Sequence, residues 1–367
     1  MKYKLGEIFE VGSGGTPSKS HPEYYGGSIP WIKTGDLKCE YLYGAEDYIT
    51  EEGLNNSSAK MYTPDTVLIA MYGATIGATS ILKIDACTNQ ACAAFKKSEK
   101  VIPEYLYYFF KSQKERFVKD GVGGAQPNIS ACYLKNVEME VPTLERQAEI
   151  VDILDKVNRV IEQRRTELEE LDNLIKSRFV EMFENGNYQI EKLGTVCKKI
   201  TDGTHKTPTY LDEGITFISA KNIVNGELDF TDVKHISEEE YQEIQKRCQT
   251  AIYDILLSKS GSLGLPVIVK TEEKLGLFES LAVIKYDREK LLPEFLCEQL
   301  KTDRIQRQFT TGTKGVAIKH LHLGVIADTD IIVPSLDEQK AFADFVHQVD
   351  KLKFLTTELI NLNTQMR

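Results

Sequence analysis

No apolar run in this 367-residue chain approaches the roughly 20 residues that a bilayer span needs; the longest runs resemble Tyr105–Phe110. The opening MKYKLGEIFE carries charge where a secretory signal needs an apolar segment. A cytoplasmic protein without membrane association is therefore expected. The seven cysteines (39, 87, 92, 132, 197, 248 and 297) are odd in number, scattered and without a C-x-x-C pair. That argues against a disulfide framework or a zinc site and fits reduced, mostly buried thiols. G-x-x-x-x-G-K-[ST], H-E-x-x-H and G-x-S-x-G are absent. So is Asn-Pro-Pro-Tyr/Phe, the signature expected of an adenine-N6 methylase. Gly12-Ser13-Gly14-Gly15 and Gly73-Ala74-Thr75-Ile76-Gly77 are fragments of phosphate-loop pattern outside any strand–G-x-G-x-x-G–helix unit. His320-x-His322 would share a face of a strand, which makes a metal conceivable, but ordinary surface or core histidines are the plainer reading. No catalytic constellation, metal site or cofactor site is expected in the chain.

A net charge of −10 argues, taken alone, against a nucleic-acid partner. The charge is uneven, however. Residues 143–187 carry 7 basic against 11 acidic side chains, the most acidic part for its length. Residues 1–142 carry 15 against 17 and residues 188–334 carry 19 against 22, so each can segregate a basic face.

Glycine and proline are missing from Thr143 to Glu184. Alternate steps of four and three meet Ile150, Leu154, Val157, Ile161, Arg164, Leu168, Leu171, Ile175, Arg178 and Met182, with charged faces between. This predicts one heptad-patterned helix roughly 60 Å long, which needs a partner of similar length. The C-terminal segment offers one, with Phe345, Val349, Leu352, Leu355, Leu359, Leu362 and Met366 at the same spacing.

The partner arises by duplication. Lys4-Leu5-Gly6 recurs as Lys192-Leu193-Gly194, Ile29-Pro30-Trp31-Ile32 as Ile215-Thr216-Phe217-Ile218, and Asp65–Ile69 as Asp254–Leu257 with a small gap. Pro103-Glu104-Tyr105-Leu106 recurs as Pro293-Glu294-Phe295-Leu296, and Val141-Pro142-Thr143 through Gln147 as Val333-Pro334-Ser335 through Gln339. Strands are expected at Thr66–Met71, Thr79–Ile84, Asp254–Leu257, Pro266–Lys270 and Ala282–Lys285. Helices are expected at Glu104–Arg116 and Glu294–Arg307, each after a first-turn proline. Thr143 and Ser335 are the N-caps of the long helices. The expected fold is mixed α/β: two similar globular domains separated by an antiparallel coiled coil of two long helices, with pseudo-twofold internal symmetry. The boundaries are 1–142, 143–186, 187–334 and 335–367. The competing arrangement packs each helix on its own globe. Arg164 and Arg178 in the seam are either interruptions bridged by salt links or register-setting positions.

The loops carry base-reading residue types. In the first copy they are 14–19, 33–36 and 126–130; in the second, 201–206, 219–222, 259–262 and 314–319. Lys and Arg donate to guanine edges, Asn and Gln pair with adenine, and Ser, Thr and glycine amides suit phosphates. Solvated turns would look alike, but a repeated scaffold with different loops fits two readers of different short sequences. The candidate contacts are Thr16, Ser18, Lys19, Lys33, Thr34, Asp36, Tyr72, Gln126 and Asn128 in the first copy. In the second they are Thr204, His205, Lys206, Lys221, Asn222, Lys259, Lys314 and Lys319. Lys33 and Lys221 rank highest, each falling just past an apolar strand.

These motifs resemble the DNA-specificity subunit of Type I restriction-modification enzymes. The resemblance rests on KLGEIFEVGSGGTPSK, PWIKTGDL, LIAMYGATIG, GAQPNIS and VPTLERQAEIVDILD in the first copy. In the second it rests on KLGTVCKKITDGTHKTP, TFISAKNI, SKSGSLG and VPSLDEQKAFADFV. It implies two target-recognition domains that read the halves of a bipartite double-stranded DNA site, with the helices setting an unread spacer. It further implies two modification subunits docked along the helices, supplying S-adenosylmethionine binding and adenine-N6 methylation. Restriction subunits would add ATP-driven translocation and cleavage. The chain itself would be non-catalytic and without a cofactor. Arg367 matches Ile175, so a counterpart of Lys176–Glu184 is missing: either the natural chain continues or this copy is short. The acidic balance implies weak DNA binding by the chain alone. Two other readings stay open: the recognition module of an orphan or fused methylation system, and a coiled-coil protein adaptor with no DNA role.

Overall fold

The computed structural model describes residues 1–122, 128–184, 186–311 and 320–365. It comprises two compact units, residues 1–160 and 161–366, each of mixed α/β architecture. In the first, strands Val11–Ser13, Cys92–Phe95, Val67–Ala70, Thr79–Leu82 and Tyr41–Leu42 lie side by side in that order. A second sheet orders Asp47–Ile49, Tyr25–Ile32, Ala86–Thr88 and Met61–Tyr62, with Tyr25–Ile32 parallel to Ala86–Thr88. Lys2–Lys4 pairs with Glu138–Glu140. Val67–Ala70 is buried along its whole length, with Val67 and Ile69 in one core cluster and Leu68 and Ala70 in another. A strand covered on both faces reads as an unbroken apolar run, which is how the sequence announces it.

The second unit repeats the plan. Cys197–Asp202, Leu281–Tyr286, Ile255–Ser258 and Pro266–Ile268 form one sheet, and Lys234–Ile236, Ile215–Ile218 and Leu275–Leu277 another. Ile190–Lys192 pairs with Asp330–Ile332. Ile255 and Leu257 face one core and Leu256 the other. The five expected strands are present to within a few residues. The fragment Gly73–Gly77 is the turn between antiparallel strands Val67–Ala70 and Thr79–Leu82, with Gly73 at φ +65° and Gly77 at φ +78°. Each expected single helix is instead two: Pro103–Ser112 then Lys114–Asp120, and Pro293–Lys301 then Asp303–Thr311. Thr302 leaves the helical region at ψ 148° and its hydroxyl donates to Gln299 O at 2.8 Å. The break redirects the following turns so that Ile305 and Phe309 reach the core, as Phe117 does in the first unit.

Helix Leu144–Phe179 continues into a π-turn at Val180–Glu184. The Arg146 N–H donates to Thr143 Oγ1 at 3.4 Å. Its counterpart, Leu336–Gln365, starts with a reciprocal capping box. There Ser335 N–H donates to Glu338 Oε2 at 3.0 Å, and Glu338 N–H to Ser335 Oγ at 3.4 Å. Just inside each start lies a fully buried glutamine. Gln147 Nε2 donates to Lys100 O (2.8 Å) and Pro142 O (2.9 Å), and its Oε1 accepts from Ile102 N–H (3.0 Å). Gln339 makes the same three bonds, to Lys290 O (2.8 Å), Pro334 O (2.9 Å) and Leu292 N–H (2.9 Å). One carboxamide thus closes a gap between helix, incoming strand and globe that no apolar side chain could satisfy.

None of the ten seam positions on the first long helix is exposed. In the second unit, Ile175, Phe179 and Phe183 share a core with Phe295, Phe342, Val346 and Val349. Ring centroids lie 5.5 Å apart for Phe179–Phe342 and 5.0 Å for Phe183–Phe295. Asp172 meets Lys353 at 2.7 Å, so positions descending one helix meet positions ascending the other: the pair is antiparallel. Both early packing ideas hold in part, since each helix start also docks on its own globe. Arg164 and Arg178 form ion pairs three residues on, with Glu167 (2.5 Å) and Glu181 (2.6 Å), rather than across the pair.

The second stripe requires a correction. Beyond Val349 the shielded positions are Lys353, Thr356, Ile360 and Asn363, again spaced four and three. Leu352, Leu355, Leu359 and Leu362 face outward, Leu355 at 57% exposure. The rows one residue apart both have heptad spacing, and it is the more polar one that faces the first helix, with Lys353 paired to Asp172. Met366 lies outside the described residues. Among described residues no helix is long and apolar enough to cross a membrane. All seven cysteines are free; Cys87, Cys92, Cys248 and Cys297 are buried, Cys197 is half-buried, and Cys39 and Cys132 are exposed.

Replacing Gln147 by Ala strands two carbonyls and an amide at about 1–3 kcal/mol each, less whatever water recovers. A net loss of about 2–4 kcal/mol is expected by urea unfolding, and the same for Gln339→Ala. A loss under about 0.5 kcal/mol would remove the clamp from the account.

Candidate nucleic-acid interface

Backbone hydrogen bonds gather the loop ends of the first unit at one end of its sheets. Gly15 N–H donates to Thr88 O (2.9 Å), Asn89 N–H to Ile32 O (3.0 Å), Met71 N–H to Ala91 O (2.8 Å) and Ile129 N–H to Met71 O (2.9 Å). The Trp31 indole N–H donates to Gly15 O at 3.0 Å. The second unit repeats the four backbone bonds of this frame. Thr204 N–H donates to Leu277 O (2.8 Å), Phe278 N–H to Ile218 O (3.0 Å), Lys259 N–H to Ser280 O (2.7 Å) and Leu321 N–H to Lys259 O (2.7 Å). A Cβ on Gly14 would overlap the Thr88 carbonyl, and one on Gly203 the Leu277 carbonyl. Only glycine lets these loops press that close to the strand.

The first unit's frame brings together most of the residues singled out from the sequence. Thr16 Oγ1 donates to Gln90 Oε1 at 2.5 Å. Ser18 and Lys19 are exposed beside it, and Thr34 is half-buried. Lys33 is ion-paired with Asp47, and that hydrogen bond raises its pKa above the usual lysine value. Tyr72 is 44% exposed and bridges through its backbone to Asn128, whose side chain is exposed.

In the second unit, Thr204 Oγ1 caps its own loop by accepting from Lys206 N–H at 3.1 Å. Lys206 and Lys221 are exposed. His205 Nδ1 faces Glu279 Oε2 at 2.6 Å, and its Nε2 lies 3.1 Å from the Arg247 guanidinium. Gln126, Lys314 and Lys319 lie outside the described residues.

Three of the candidates are not surface groups. Asp36 is buried and accepts from Lys33 N–H at 2.7 Å. Asn222, its counterpart, accepts from Ser219 N–H (3.0 Å) and donates to Asp229 O and Asp232 O (both 3.2 Å). Both are caps of a short turn, a role short polar side chains take readily. Asp36 and Asn222 being equivalent, Lys221 matches Gly35 and stands two positions from the counterpart of Lys33. Lys259 is 2% exposed and ion-paired with the equally buried Asp202.

Burial pushes the Asp202 carboxyl up, but hydrogen bonds from Lys259 and Arg247 outweigh it and hold the group below the usual aspartate value. In the first unit the equivalent positions are Ser13 and the buried Met71, since Ser13 pairs with Ala93 as Asp202 does with Ala282. Gln90, Glu279 and Arg247 escaped sequence reasoning. The signal was available for the first two: their loops align at the repeat shift, Gln90 to Glu279. Rings of His320 and His322 stand 5.6 Å apart, and no group of three or more metal-type ligands exists among described residues.

The sequence matches the family described as Type I restriction modification DNA specificity domain over residues 1–173 and again over 185–364. It is similar to the MjaIX specificity subunit of Methanocaldococcus jannaschii, 31% identical over 61% of this chain and 58% of that one. It is likewise similar to the EcoR124I/EcoR124II specificity subunit of Escherichia coli, 32% identical over 41% of this chain and 39% of that one. The match thus spans about half the length of these two relatives. A solved chain from work on complex assembly and conformational transition of the type I R-M system shares the fold. Its TM-score is 0.64 at 16% identity, with 100% of this chain and 95% of that chain covered.

Lys259→Met leaves the Asp202 carboxylate buried with Arg247 and, at 3.4 Å, His205 Nε2, and is expected to cost about 3–5 kcal/mol, as breaking a buried pair does. Adding Asp202→Ser recreates the first unit's pair and should restore stability to within about 1 kcal/mol of the original. Urea unfolding of the three proteins decides it; a double variant as unstable as the single one would break the equivalence.

Proposed function

The chain belongs to the Type I restriction-modification DNA specificity family, and on that footing we propose that it is the non-catalytic, sequence-reading subunit of such an enzyme. Residues 1–142 and 187–334 each read one half of a bipartite double-stranded DNA site. Residues 143–186 and 335–367 set the unread spacer and receive two modification subunits. Those subunits bring S-adenosylmethionine and adenine-N6 methylation, and restriction subunits add ATP-driven translocation and cleavage. The work is done on DNA in the cytoplasm.

One observation carries the reading. The two units hold the same hydrogen-bond frame at one end of their sheets while the side chains it presents differ. Exposed Lys19, Lys206 and Lys221 suit phosphates, which position the protein without specifying sequence. With a net charge of −10 the isolated chain should bind duplex DNA weakly, and the modification subunits complete the positive surface. Long-read detection of methylated adenines, with and without this gene, tests the proposal. A bipartite motif that vanishes with the gene is expected; an unchanged pattern would refute it. Inserting one heptad into both long helices should add about 10 Å, roughly three base pairs at ~3.4 Å each, to the spacer and leave both half-sites as they were.

The outward row Leu352, Leu355, Leu359 and Leu362, with Phe354 at 66% exposure, supports docking of a modification subunit on the second helix. Phe354 and Leu355 also line an open cleft with Lys270, His347, Asp350 and Lys351. Each leucine buried there is worth about 1.5 kcal/mol. Leu355→Ala with Leu359→Ala should therefore weaken assembly about 100-fold by titration, with the melting temperature of the isolated chain unchanged. Undiminished assembly would move the docking surface elsewhere.

A further inference from the structure

The duplicated frame allows the reading to be narrowed to a pair of positions in each unit. Thr16 and Gln90 extend from the loops closed by the Gly15–Thr88 bond, and His205 and Glu279 from those closed by the Thr204–Leu277 bond. Each pair is joined side chain to side chain, Thr16 Oγ1 to Gln90 Oε1 at 2.5 Å and His205 Nδ1 to Glu279 Oε2 at 2.6 Å. The backbone around them is conserved between the copies to a few tenths of an ångström in hydrogen-bond length. The preceding glycine is sterically obligatory in both. The chemistry nonetheless differs, a hydroxyl–carboxamide pair in one and an imidazole–carboxylate pair in the other. A merely structural link would not need such a change, because the flanking backbone bonds already close the loops.

We infer that these two equivalent pairs are specificity-determining positions, one for each half-site. The inference rests on the DNA-reading role proposed above. Gln90 is exposed, and its amide nitrogen has no partner among the described residues. A carboxamide offers one donor and one acceptor side by side, the pattern that matches N7 and N6 of adenine. Glu279 is half-buried, and its carboxylate only accepts, which suits the exocyclic amine of cytosine. His205 holds that carboxylate from one side, and Arg247, itself ion-paired with Asp202, holds the imidazole from the other. The carboxylate is thus oriented before DNA arrives. Arg247 also brings positive charge to offset the repulsion between a carboxylate and the DNA backbone.

The test uses the full chain assembled with the modification subunits of its own system. Gln90→Glu and Glu279→Gln are introduced separately, and the methylated motif is read on a duplex pool with randomised half-sites. Gln90→Glu should change preference at one base of one half-site by about tenfold or more, from adenine toward cytosine, the size of one lost bidentate contact. Glu279→Gln should make the reverse change in the other half-site. In each case the untouched half-site should stay as it was.

If both variants methylate the original motif, the assignment is overturned while the broader role stands. If a variant no longer methylates, its binding to the same pool is sequenced instead. Enrichment of the altered base supports the assignment, and uniform loss over all sequences overturns it. A wild-type complex that marks no specific sequence sinks both this inference and the role on which it rests.

Discussion

Two buried carboxamides hold the architecture together. Gln147 and Gln339 each join a helix start to the strand that feeds it and to the loop ahead of the globe's own helix. Each long helix then lies on its globe for about three turns, through Val151, Asp155 and Asn158 in the first and Phe342, Val346 and Val349 in the second. Three hydrogen bonds from one side chain fix where each helix leaves its strand, and the later contacts hold it along the globe. The aromatic cluster of Phe179, Phe183, Phe295 and Phe342 then supplies apolar burial that needs no particular direction. Direction comes from the glutamines and adhesion from the rings.

The same division of labour governs the candidate interface. Backbone bonds and two space-excluding glycines fix where the loop ends stand, so the side chains there can vary without disturbing the fold. That freedom reaches into the interior, where Met71 in one unit is replaced by Lys259 in the other. A buried lysine is tolerable because Asp202 came with it. Interaction chemistry and packing are thus separable in this fold, as duplication followed by divergence requires.

Much of this was legible without coordinates. The duplication was visible because apolar strands buried on both faces and the Val-Pro-Thr/Ser caps are constrained by packing and by helix ends, which any one copy must satisfy. The seam of the first long helix was legible at every position for the same reason. The second stripe was not. Leu352, Leu355, Leu359 and Leu362 have the spacing of a seam, yet Lys353, Thr356, Ile360 and Asn363 took its place. Apolar periodicity reports that a face is destined for burial and is silent about which partner buries it.

The candidate contacts divide similarly. Residue chemistry suggested Asp36, Asn222 and Lys259, and the fold turned all three inward to satisfy backbone amides or a buried carboxylate. Gln90 and Glu279 were passed over because nothing in a local window distinguishes them; they matter only through the loops they meet. By itself the sequence determined the repeated α/β units, the long helices, the absence of catalytic motifs and the family. Tertiary structure alone decided which polar side chains are spent on the frame and which remain free. Hydrogen-bond satisfaction depends on what lies across a gap in space, and spacing along the chain does not record it.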